Sequence, residues 1–167
     1  MSPNKFKRAM EFLISSEGGN NADPTDRGGL TKYGISQKQY PDLDIRALTR
    51  FQVDAIYEND YWNKLRCSDM VEPLAIVVFD SGVNCGRSSA AKWLQQACNR
   101  LGSNLVVDGI VGPVTFVAVN QYNHRALLEA VVAQRLRRYA YLLKKHPEQV
   151  KYIRGWILRV AALLMYV

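Results

Sequence analysis

The chain has 167 residues, 48% hydrophobic and 22% charged, with 22 Lys and Arg against 15 Asp and Glu, a formal charge of +7. That length and balance exclude a disordered tail and a miniprotein that needs staples, and fit one domain with two subregions. The basic excess suits either plain solubility or a polyanionic partner: nucleic acid, an anionic membrane face or an anionic cell-wall polymer.

Helix signals dominate along the chain. Ser2-Pro3 caps a first helix whose Phe6, Met10, Leu13 and Ile14 repeat at helical spacing, and Gly18-Gly19 ends it. A polar stretch follows at residues 17–36, "EGGNNADPTDRGGLTKYGIS". Within it "DPTDRGG" reads as a tight turn and "LTKYGIS" as one arm of a small hairpin. A helix over about 45–60 is predicted next, with Ile45, Leu48, Phe51 and Ile56 as its buried stripe. Glu72-Pro73 opens "PLAIVVFDSGVN", apolar nearly all round and predicted to be a central buried helix.

Ser88 or Ser89 is the expected cap of "AAKWLQQACNRL", which Gly102 closes. "VVDGIVGPVTF" is a turn-rich connector into a helix with Pro113 in its first turn. Asn123 caps the longest helix, about 124–145, and Pro147 ends it. A last helix runs through Tyr152, Trp156, Ile157, Val160 and Leu164. The expected fold is mainly α with one small β-hairpin after the first helix. The soft seam at 99–112 divides it into regions 1–98 and 99–167, packed as one unit.

The cysteines Cys67, Cys85 and Cys98 are odd in number and lack CxxC spacing, so reduced thiols are expected. His124 and His146 are isolated, and neither a metal nor another cofactor is implied. The N-terminal segment shows no apolar signal core, and "GWILRVAALLMYV" falls short of the ~20 residues that span a bilayer. The expectation is synthesis without a targeting signal and no membrane span.

Glu17 stands out chemically. Phe6, Met10, Leu13 and Glu17 lie at i, i+4, i+7 and i+11, so the carboxyl shares the apolar face. It also belongs to the last helical turn, at the negative end of the dipole. Burial and dipole both favour the protonated form, as a general acid requires. The plainer reading is a helix-end Glu facing water. The turn after it would carry Asp26 or Asp23, and Thr31, back toward Glu17. Two carboxyls, one neutral and one ionised, with a hydroxyl to hold a water, are the parts that cleave a glycosidic bond.

This segment resembles the active-site motif of the glycoside hydrolase family 108 endolysins, phage-type N-acetylmuramidases. That motif is E-G-G-x-x-x-D-P-x-D-x-G-G-x-T-x-x-G-I-[ST], and every position is matched from Glu17 to Ser36. "YENDYW" at 57–62 and "FDSGVNCG" at 79–86 are further similarities. "VDGIVGPVT" at 107–115, "RRYAYL" at 137–142 and "GWILR" at 155–159 resemble the family's peptidoglycan-binding region. One departure is Asn20-Asn21, where the family usually carries an aromatic.

The resemblance implies a lysozyme-like helical fold that cleaves the β-1,4 bond between N-acetylmuramic acid and N-acetylglucosamine. Glu17, Asp26 and Thr31 match its catalytic positions. Tyr33, Tyr61, Trp62 and Asn84 are the expected substrate contacts, although a core role is the plainer reading of the aromatics. Asp80, on the most apolar helix, is read as structural, holding Arg87 or a backbone amide. Peptidoglycan is the expected partner, reached through a holin-like pore from the cytoplasm. Two alternatives stay open: a non-catalytic wall-binding or secretion-assisting protein, and a lytic transglycosylase. No nucleic-acid motif is present.

Overall fold

The computed structural model describes residues 3–16 and 31–167. Glu17, Asp23 and Asp26 lie outside the described residues. The elements are α1 (Pro3–Ser16), a hairpin of β1 (Thr31–Lys32) and β2 (Ile35–Ser36), α2 (Arg50–Tyr57), α3 (Glu72–Cys85), α4 (Arg87–Arg100), α5 (Pro113–Gln121), α6 (His124–Lys145) and α7 (Val150–Tyr166). A π-helical turn, Glu58–Trp62, continues α2, and a 3-10 turn, Cys67–Asp69, leads into α3. The fold is mainly α with one two-stranded antiparallel hairpin.

α3 is the hub, packing against α1, α4 and α6. Every residue from Leu74 to Gly82 is buried, which is why its sequence lacks a polar face. Gly82 marks a close approach: a Cβ there would meet Leu65 Cδ1 at 2.6 Å. α6 begins where expected, with the Asn123 side chain accepting from the amides of Arg125 at 2.9 Å and Ala126 at 3.1 Å. The connector before α5 is wrapped around Gln95. The Gln95 amide donates to Asp108 at 2.7 Å and to the Ile110 carbonyl at 3.0 Å, and its oxygen accepts from Gly109.

Local expectations fail at two places. Ile45 and Leu48 are buried, but they precede the helix, and Phe51 is 83% exposed. The cause is a capping box in which Thr49 and Gln52 exchange side-chain-to-backbone bonds, starting α2 at Arg50. That start turns Val53 and Tyr57 inward instead. Neither Ser88 nor Ser89 caps α4, because Gly86 at φ 91° reverses the chain and the helix starts at Arg87. α4 ends at Arg100, two residues into the stretch 99–112 expected as the seam.

Candidate active site

The described part of the polar segment is its hairpin. Thr31 pairs with Ser36 and Lys32 with Ile35. Tyr33 and Gly34 form the loop with φ of 54° and 78°, the positive pair that a type I′ turn demands. Three anchors fasten it. Ile35 is buried in the core. The Tyr57 hydroxyl donates to the Tyr33 carbonyl at 2.9 Å. The Lys32 ammonium donates to the carbonyls of Arg46 at 2.8 Å and Leu48 at 2.9 Å. Thr31 therefore stands on a rigid platform. Met10 and Leu13, which set the helical phase used for Glu17, are both fully buried.

The last turn of α1 faces α7 across a groove of about 470 Å3, lined by Phe12, Ser15, Ser16, Leu158, Arg159 and Tyr166. Beneath the groove Arg159 reaches inward to Asp80, Nη2 to Oδ1 at 2.7 Å. Arg135 meets the other oxygen of Asp80 at 2.5 Å. Asp80 therefore holds Arg135 and Arg159, not Arg87, which donates instead to the Asp60 carbonyl at 2.6 Å. Asp80 thus bridges two guanidiniums, one through each oxygen. Burial opposes the charge on Arg135, but Asp80 and Tyr139 outweigh it and hold the guanidinium above its ordinary pKa.

From Arg135 the network runs outward. Its Nε donates to the Tyr139 hydroxyl at 2.6 Å, which donates to Asn84 Oδ1 at 2.9 Å. Burial pushes the Tyr139 phenol up to about 12, so it stays a donor at neutral pH. Asn84, exposed at the end of α3, is thus oriented from the core.

The π-helical turn decides the fate of its two aromatics. The Asn63 amide bonds the Glu58 carbonyl at 2.8 Å, five residues back, which inserts one extra residue into the turn. Trp62 is 2% exposed, edge-on to Phe6 and Phe79, with its indole N–H on Ser68 at 2.7 Å. The expectation that Trp62 touches substrate is therefore corrected: the ring has no open face and serves the core. Tyr61, 9% exposed, borders a polar cavity of about 200 Å3 with Gln39, Tyr40, Asp60 and Arg87. There the Tyr40 hydroxyl donates to Asp60 at 2.6 Å, and Gln39 bonds the Tyr61 hydroxyl. Burial, then the Asp60 bond, keeps the Tyr40 phenol protonated.

The structure thus brings Thr31, Tyr33 and Tyr61 to the hairpin side, linked through Tyr57, whose ring lies 5.6 Å from that of Tyr61. Asn84 hangs from the Asp80 network instead. Arg135, Arg159, Gln39 and Tyr40 are the polar residues that sequence reasoning passed over.

The family model described as Glycosyl hydrolase 108 matches residues 10–86, and the one described as Predicted Peptidoglycan domain matches residues 89–161. The two spans meet where α3 gives way to α4. Among solved structures the chain is similar to one titled "Structure of Brucella abortus SagA", with 26% identity and a TM-score of 0.78, covering 95% of this chain and 90% of that one. A comparison with curated proteins returned no match.

Proposed function

We propose that this chain, whose residues 10–86 match the Glycosyl hydrolase 108 model and whose residues 89–161 match the Predicted Peptidoglycan domain model, is an N-acetylmuramidase. It cleaves the β-1,4 bond between N-acetylmuramic acid and N-acetylglucosamine. Glu17 protonates the leaving oxygen, and Asp26 activates a water that Thr31 helps to hold. Tyr33, Tyr61 and Asn84 contact the glycan, and the second region grips the wall. With a water between the carboxyls, a separation of ~6.5–9.5 Å and an inverted product are expected.

One observation carries this reading. The unbroken motif from Glu17 to Ser36 ends in a hairpin that the core fastens at three points, presenting Thr31 on a fixed edge. A hydroxyl that positions water needs such a support. The protein is made in the cytoplasm and reaches the wall through a holin-like pore. Co-expression checks that route: cells lyse only when a pore-forming partner is present.

Mass spectrometry of material released from purified sacculi tests the chemistry. Reducing N-acetylmuramic acid ends are expected. 1,6-Anhydro ends would make the protein a lytic transglycosylase. Sacculus binding with no released muropeptides would make it a wall-binding module.

A further inference from the structure

α7 carries two stripes. Ile153, Trp156, Val160 and Leu163 pack inward. The second stripe, Val150, Arg154, Ile157, Ala161, Leu164 and Met165, falls at i, i+4, i+7, i+11, i+14 and i+15, the spacing of one helix face, and all six are exposed. Met165 is 90% exposed and Val150 61%. After Arg154 the helix has one further charged residue, Arg159, and that is turned inward onto Asp80. An outward helix face ordinarily carries charge; this one is aliphatic over its last three turns.

The cations collect at one end of the stripe. Lys151 and Arg154 flank its start, and Lys144 and Lys145 end α6 just before it, all exposed. Residues 1–98 hold twelve Lys and Arg against twelve Asp and Glu, whereas residues 99–167 hold ten against three. The whole net charge therefore belongs to the half that bears α7. Tyr152, 51% exposed, stacks beside Trp156 at the same end.

We infer that α7 docks lengthwise on an anionic lipid surface. The aliphatic stripe enters the acyl boundary, Lys151 and Arg154 reach the phosphates from their apolar stems, and the exposed Tyr152 sits at headgroup depth. Bare aliphatic side chains offer a hydrated glycan no hydrogen bonds, so the stripe is not suited to the wall itself. A second copy on this face would bring together two halves that each carry the full +7. No described helix is long and apolar enough to cross a membrane, so the contact is with the surface.

The test sediments the full-length protein with vesicles of phosphatidylcholine alone and of equal parts phosphatidylcholine and phosphatidylglycerol. Binding to the anionic vesicles should be at least ~tenfold tighter. Leu164→Gln/Met165→Gln should lose most of that binding while keeping its helical circular dichroism. Wild-type protein that ignores both vesicles would overturn the inference, as would a double variant that binds like wild type. So would light scattering that shows a dimer split by the double substitution, since a second copy would then own the stripe. A protein that lyses sacculi but ignores vesicles would leave the hydrolase reading standing.

Discussion

Asp80 shows how single residues hold this molecule together. It is 1% exposed and pairs with Arg135, fully buried, and Arg159, 10% exposed. Asp80→Asn would leave the fully buried Arg135 without its carboxylate, and urea unfolding should show a loss of about 3–5 kcal/mol. A loss below ~1 kcal/mol would mean that the arginines find water instead. Cys98 contributes through its proton. Burial raises its thiol from 9.0 to about 11, so the unfolded chain releases that proton first as pH rises. The associated stability is complete below pH 9 and is lost as pH rises toward 11. Thermal melts should fall across that window, and Cys98→Ala should flatten the fall. An unchanged slope would assign the alkaline loss to other groups.

At the scale of elements, the hairpin ties fold to chemistry. Its presence was legible because "LTKYGIS" is a short alternating run, but that run holds both strands and the Tyr33-Gly34 turn, not one arm alone. Tyr57 bonds it from α2 through the Tyr33 carbonyl. Tyr57→Phe should cost about 1 kcal/mol in stability yet slow wall lysis several-fold, because Thr31 loses a support. Equal rates for the two proteins would show that the hairpin needs no such brace. Helix boundaries were less legible. Phe51 fitted a buried stripe only until the Thr49–Gln52 capping box reset the phase, and a cap acts at one residue where periodicity averages over many. Trp62 was misread for a related reason, since one π-helical turn redirects a side chain without altering composition. Arg135 could have been found. It lies in phase with Leu128, Val131 and Tyr139, the same argument that points Glu17 inward, and a buried Asp80 demanded a cation.

Across the whole molecule, the two matched regions are joined by side chains as well as by sequence. Asp80 belongs to the glycosyl hydrolase 108 span, and Arg135 and Arg159 belong to the predicted peptidoglycan span, so a single ion cluster closes both. Charge is divided just as clearly: residues 1–98 are neutral overall and residues 99–167 carry all of the excess, as an anionic polymer or lipid would require. That division was countable from the sequence, whereas the cross-region ion cluster needed the packing of α3 against α6 and α7. The account turns on Glu17 as the acid that breaks the glycan. Turbidity of purified sacculi, followed with wild type and with Glu17→Gln at matched circular dichroism, is the direct measurement. Clearing by wild type and a loss of about 100-fold or more in the variant is the predicted result. Clearing by Glu17→Gln at the wild-type rate would contradict it.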